Sequence, residues 1–175
     1  MNNLTSLLSL KVSNNYIIAL AFLTQISTLN TLDARDNLLS FDDIIKNETL
    51  VQNPLINFEY VPQKVIDEVR SDVVALEDFY YLEAQIDYTV SDNNYEWFKD
   101  GVSIGSTSDN QYLLADIDID DEGIYNYVAT NPIDPTLILT SNPISLNLVN
   151  TGNDTLGFNV EEGHSSFFNS FDLCF

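Results

Sequence analysis

The chain has 175 residues, room for one domain and a small second one, and an apolar share of 45% that can fill a core over most of its length. Its 27 Asp and Glu face only 6 Lys and Arg, a formal net charge of -21. Such a field repels phosphates and argues against nucleic acid or an anionic membrane as partner, while suiting cations or a basic protein surface.

The same charge has a bland explanation, a salty medium in which screening makes like charges tolerable. Cys174 is the one cysteine, so neither an internal disulfide nor a cysteine-based zinc site is available. Bacterial surface proteins often lack cysteine too, which leaves the compartment open. The apolar run from Ile17 to Leu23 is too short to span a bilayer. It has neither a basic flank nor a small-residue cleavage site after it, so it does not read as a signal peptide. Asn3, Asn47 and Asn153 open Asn-x-Thr sequons, which matter only in a eukaryotic secretory pathway.

Taken from the start, Leu4, Leu7, Leu10, Val12, Asn15 and Ile17 form one pattern. Ile26, Leu29, Leu32, Ala34, Asn37 and Leu39 repeat it in register, 22 residues later. That period lies in the leucine-rich-repeat range. In such a unit a short strand turns alternate side chains inward, and the asparagine satisfies backbone groups in the following turn. Leu4, Leu7, Leu8 and Leu10 could instead line one face of a helix, but two in-register copies are hard to obtain by chance. A degenerate third copy runs through Phe58 and Tyr60 to Gln63, 26 residues after Asn37, and reads as a terminal cap. The first copy leaves an apolar edge that further repeats of a longer parent chain, or another chain, are expected to cover.

Side chains flanking the inward positions point out of the repeat sheet. These are Lys11 and Ser13, Asp33 and Arg35, then Glu59 and Val61, a candidate recognition face or a merely solvated one. The stretch from Leu39 to Ile44, followed by Phe58, Tyr60, Pro62 and Gln63, resembles the junction between repeats and an immunoglobulin-like domain in bacterial leucine-rich-repeat surface proteins. Internalins share that general architecture.

From about residue 64 to 150 the pattern becomes that of a β-sandwich. Val65 to Glu77 supplies a first strand and its connection, and Tyr80, Leu82, Ala84, Ile86 and Tyr88 alternate over Phe79–Val90. Trp97 sits in an alternating run that ends at the turn dipeptide Asp100-Gly101. Asp121, Gly123 and Tyr125 then form Asp-x-Gly-x-Tyr and lead into Tyr127 and Ala129. Thr136–Thr140 and Ile144–Leu148 read as the last strands, with Pro143 as a bulge.

Together these residues resemble an immunoglobulin-like domain of the intermediate type. The resemblance implies that Trp97 is the buried tryptophan of strand C and Tyr125 the tyrosine corner opening strand F. It also implies that Tyr127, opposite Ala84 or Ile86, fills by packing the space of the family's disulfide. The expected fold is thus mostly β: a short leucine-rich-repeat solenoid end over 1–63, an immunoglobulin-like antiparallel sandwich over 64–150, and a linker or disordered tail over 151–175. Asn15, Asn37 and Gln63 are its structural residues in the repeats, and Trp97, Asp121, Gly123, Tyr125 and Tyr127 those of the sandwich.

Little in the chain reads as catalytic. His164 is the one histidine and has no partner at a readable spacing. The run Asp116 to Gly123 invites comparison with a calcium loop. Its register fails, because Asp121 stands where glycine is required and Tyr127 where a bidentate glutamate is required. Alternation with Ile117 and Ile119 fits a strand end with its carboxylates in water. No metal or cofactor is therefore expected. The chain reads as a non-enzymatic recognition or adhesion module, extracellular or at a cell surface, that binds a protein or glycan without inserting in the membrane. An accessory spacer of a larger secreted enzyme and a purely structural stalk are the rival readings, and all three rest on fold-level analogy.

Overall fold

The computed structural model describes residues 6–21, 23, 26, 28–86 and 90–150. His164, Cys174, Tyr88, the sequons at Asn3 and Asn153, and the expected tail lie outside them.

Three short strands form a parallel sheet in chain order: β1 (Ser9–Lys11), β2 (Thr31–Asp33) and β3 (Asn57–Glu59). Leu10, Leu32 and Phe58 stand opposite one another, so the apolar position of each strand shares one side of the sheet. Leu32 is fully buried there, and Leu10 and Phe58 pack against the core. Behind the sheet the chain returns through buried Leu20, Leu23, Ile26 and Leu29. Each such side chain taken out of water contributes roughly 1.5–3 kcal/mol.

Parallel strands this short need their turns held as well. Asn37 does this from a fully buried position. Its Nδ2 donates to the carbonyls of Val12, Ala34 and Arg35 at 2.9–3.0 Å, and its Oδ1 accepts from Ile17 N–H at 3.1 Å. Gln63 continues the ladder. Its Oε1 accepts from Asn37 N–H and Leu39 N–H, and its Nε2 donates to the carbonyls of Ala34 and Tyr60. Asn15 is exposed, and its Nδ2 reaches only the neighbouring carbonyls of Val12 and Ser13.

The extra residues between β2 and β3 form two short helices, α1 (Phe41–Lys46) and α2 (Glu48–Val51). Ser40 caps α1: the Asp43 carboxylate accepts from both the Ser40 N–H and its hydroxyl at 3.1 Å. Phe41 and Ile44 form the buried face of α1, and Lys46 pairs with Asp42 one turn back at 2.6 Å.

The rest of the described chain makes two facing sheets. The larger contains β4 (Arg70–Ala75), β6 (Asn94–Lys99), β7 (Val102–Thr107), β9 (Gly123–Asn131), β10 (Asp134–Thr140) and β11 (Ile144–Val149). Its order is β4-β11-β9-β6-β7, with β10 also beside β9. Only β4 and β11 run parallel. The smaller sheet pairs β5 (Tyr80–Glu83) with β8 (Gln111–Leu114). A first strand parallel to the last, a central antiparallel pair carrying the tryptophan, and a small second sheet make this an immunoglobulin-like sandwich.

Its core follows from period-2 alternation. Tyr125, Tyr127 and Ala129 on β9 and Tyr95 and Trp97 on β6 point inward, meeting Leu82, Ala84, Leu114 and Ile117. The Asp100-Gly101 pair makes the β6–β7 hairpin, with φ of 49° and 80° at its two residues. That is the two-residue turn whose twist suits antiparallel strands, and it needs positive φ at both positions.

Two of three local expectations change. Among the described residues of Phe79–Val90 the expected strand is β5, four residues long, although Ala84 N–H still donates to the Asn110 carbonyl at 2.8 Å. Pro143 falls in the three residues between β10 and β11, over which the register against β9 slips by one, from Thr140 opposite Val128 to Ile144 opposite Tyr125, as the bulge expected there requires. It precedes β11, and its carbonyl accepts from Arg70 N–H. The acidic run after Leu114 is not a strand end. Asp116 has φ 53°, and Ile119–Asp121 is a 3-10 turn. Asp118 Oδ1 accepts from Asp120 N–H at 2.8 Å and Asp121 Oδ2 from Asp118 N–H at 3.0 Å, so these carboxylates satisfy backbone donors.

Candidate functional site

The face of the parallel sheet away from the leucines carries Lys11, Ser13, Asp33, Arg35, Glu59 and Val61. Parallel register places Lys11 beside Asp33, and Asp33 beside Glu59. Arg35 lies across this row. Its Nε and Nη2 donate to the two oxygens of Asp33 at 3.0 Å, a fork-to-fork contact, and Nη2 reaches Glu59 Oε2 at 3.0 Å. The guanidinium is thus fixed between two carboxylates while its side chain stays 42% exposed.

Asp33 was expected to face solvent, but it is buried. The Arg35 hydrogen bonds hold its carboxyl well below the ordinary range, down to about 2, against the opposing effect of burial. Arg35 is raised in turn, chiefly by its bond to Asp33. Lys11, Glu59 and Val61 are exposed and Ser13 is partly covered. The row therefore presents a fixed guanidinium, a flexible ammonium and one accessible carboxylate within three strands. Chemically it can donate to acceptors and pair with ions, but it has no nucleophile activated by a base.

The remaining residues singled out in the sequence have structural surroundings. Trp97 is fully buried, its ring 5.0 Å from that of Tyr127, and its Nε1 donates to Thr107 Oγ1 at 3.1 Å. Tyr125 Oη donates to the Asp121 carbonyl at 2.7 Å, closing the corner before β9. Burial pushes that phenol far above its ordinary range, and the charges of Asp121 and Asp100 add to the shift. Gly123 leaves room for the Asp100 carboxylate, since a Cβ there would lie 2.8 Å from Asp100 Oδ2. Asp100 Oδ1 accepts from Ile124 N–H at 3.0 Å.

Tyr127 reaches beyond the space of a disulfide. Its hydroxyl donates to Asp67 Oδ2 at 2.6 Å, and Asp67 also accepts from Gln85 N–H. Sequence reasoning passed over Asp67, whose only signal would have been an aspartate suited to its φ of 61°. It also passed over the buried pair Asn93 and Asn131, in which Asn131 Nδ2 donates to Asn93 Oδ1 at 2.7 Å and Asn93 Nδ2 to Tyr95 Oη at 3.0 Å. Among the described residues no group of three or more His, Cys, Asp or Glu could hold a metal. No helix among them is long and apolar enough to cross a membrane.

No protein-family model matches the chain, and no curated protein matches it by sequence. Solved structures of immunoglobulin domains are similar to part of it. Sidekick-1 immunoglobulin domains 1-5 match at 20% identity and a TM-score of 0.41, over 50% of this chain and 20% of that one. Drosophila OTK extracellular domains 3-5 match at 13% identity and a TM-score of 0.36, over 45% of this chain and 33% of that one. The immunoglobulin-like domain of mouse leukocyte-associated immunoglobulin-like receptor 1 matches at 13% identity and a TM-score of 0.37, over 51% of this chain and 98% of that one. The matches thus span a fifth and a third of the first two structures. The sandwich assignment rests on the strand order itself.

Proposed function

We propose that the chain is a non-enzymatic recognition module at a cell surface or outside the cell, in which a leucine-rich-repeat end over 1–63 joins the immunoglobulin-like domain over 64–150. A protein or glycan partner binds on the row of Lys11, Ser13, Asp33, Arg35 and Glu59, in which buried Asp33 holds Arg35 and the others are at least partly accessible. One observation carries this reading: Arg35 is held by Asp33 and Glu59 yet remains 42% exposed. An arginine already ordered loses little rotamer freedom on binding, so its hydrogen bonds to a partner are gained at reduced entropic cost. The repeat reading is supported by the 22-residue spacing and by the hydrogen-bond ladder of Asn37 and Gln63.

The test is binding of the labelled full-length chain to arrayed glycans and to arrayed extracellular proteins, beside a variant carrying Lys11→Gln and Arg35→Gln. Saturable binding to one class is expected, weakened about tenfold or more in the variant at a temperature where both chains are folded, the variant melting somewhat lower because Asp33 has lost Arg35. Binding that the variant retains in full moves the site off this face. Absence of saturable binding to either array favours the spacer reading.

A further inference from the structure

The outer face of the larger sheet carries little charge for so acidic a molecule. Along β9, Tyr125, Tyr127 and Ala129 enter the core, so Ile124, Asn126 and Val128 face the opposite way. By the same alternation β6 turns Glu96 and Phe98 outward on either side of buried Trp97, and β10 turns out Ile138 between buried Leu137 and Leu139. Register joins them into one surface. Phe98 lies opposite Asn126, Glu96 opposite Val128, and Ile124 opposite Ser145, which in turn pairs with Ser71 on β4.

Ile124 and Ile138 are 53% and 56% exposed, and Val73 at the β4 edge is 63% exposed. The positions between these apolar side chains are filled by serine, threonine and asparagine. Glu96 is the face's one charged group, and it accepts from Ser103 Oγ at 2.8 Å. In a chain of net charge -21 that neutrality stands out. The face of the parallel sheet carries Lys11, Asp33, Arg35 and Glu59, and Glu83 lies exposed on the smaller sheet.

We propose that two copies of this chain meet through the outer face of β4, β11, β9, β6 and β7. A two-fold contact brings each side chain near its own counterpart, so the surface must complement itself. Serine, threonine and asparagine both donate and accept and can do so; carboxylates cannot. Any face with the average charge of this molecule would set like charge against like. The neutral face is where that repulsion is smallest, and its isoleucines, valines and phenylalanine supply apolar area to bury. Five strands about 4.8 Å apart and about 20 Å long give on the order of 500 Å² in plan. That is the small end of specific interfaces, so the dimer is reversible.

Sedimentation equilibrium of the full 175-residue chain, at concentrations up to about millimolar, tests this. A monomer–dimer equilibrium is expected that tightens about tenfold between 0.05 and about 1 M NaCl as screening removes the long-range repulsion. Ile124→Glu places two carboxylates across the axis and weakens the dimer about tenfold or more. Leu113→Glu, on the smaller sheet, leaves it unchanged. Both positions are about half exposed, so both variants fold, and an unchanged melting temperature verifies this. A chain that stays monomeric at every concentration and salt overturns the proposal. So does a dimer that Ile124→Glu leaves intact, or one that Leu113→Glu weakens equally.

Discussion

Asn15 and Asn37 hold the same place in two copies of one pattern, yet only Asn37 is sealed from water. The difference lies in what covers them. Gln63 and the turn after β3 close over Asn37, whereas Asn15 lies at the outer strand of the sheet. Asn37→Ala leaves the Ile17 N–H without its acceptor and takes one of two donors from each of the carbonyls of Val12, Ala34 and Arg35, which keep Asn15, Gln63 and the Asn14 N–H. One unsatisfied N–H at about 1–3 kcal/mol, with the lost second bonds to the carbonyls, gives an expected loss of about 2 kcal/mol or more. Asn15→Ala removes two exposed bonds and is expected to cost about 0.5 kcal/mol or less. Urea denaturation followed by circular dichroism measures both. Equal losses would show that burial is not what separates them.

Asp33 adds a pH dependence of definite sign. Its carboxyl titrates at about 2 in the folded chain against an ordinary 3.8, mainly because Arg35 bonds the ionised form. A depressed value means that folding favours the anion. The stabilisation is present in full above about pH 4 and disappears as the pH falls toward 2. Arg35 is 42% exposed, so solvent screening keeps the effect modest. Other carboxyls titrate in the same range, and the difference between wild type and Asp33→Asn isolates this one. The gap in melting temperature is expected to close between about pH 4 and pH 2. A gap that stays constant across that window would remove the Asp33–Arg35 pair from the account.

At the level of elements, legibility tracked how local the determining contacts are. The β6–β7 hairpin was readable because Asp100 and Gly101 carry their own conformational demand. Strands β6 and β9 were readable because one face is core and the other water, which writes a period of two into the residues. The acidic run from Asp116 to Asp121 shows the same alternation and is not a strand. Its carboxylates bond backbone N–H groups within three residues, a local competitor that a hydropathy period does not register. Helix α1 fell in the stretch from Leu39 to Ile44 that was read only as part of a junction, although Ser40 and Asp43 are a capping pair three residues apart. On the parallel sheet, alternation named the outward row but could not show that Asp33 is covered by Arg35. Asp67, Asn93 and Asn131 depend on partners far along the chain, such as Tyr127 for Asp67, and single-chain spacing holds no trace of such a pairing.

At the scale of the molecule, charge is the property left to explain. The 27 acidic residues far outnumber the cations, and among the described residues only four ion pairs form, each using Arg35, Lys46 or Arg70. Most carboxylates therefore repel one another, and folding brings them closer than they lie in the open chain. Self-repulsion of this kind destabilises the compact state. Raising the ionic strength from about 0.01 to 1 M shortens the screening length from about 30 Å to about 3 Å and removes most of it. Screening also weakens the four exposed or partly exposed pairs, but these contribute about 1 kcal/mol or less each. The repulsion wins, and the melting temperature is expected to rise by several degrees with NaCl, on a scale of about 2–4 °C per kcal/mol for a chain of this size. The Ile124→Glu variant at low concentration separates this effect from self-association, because a monomer with one more carboxylate must gain at least as much from salt. A melting temperature that is flat or falls with NaCl in that variant would mean that the acidic groups are spaced widely enough not to oppose folding. The charge would then act only on what the surface meets.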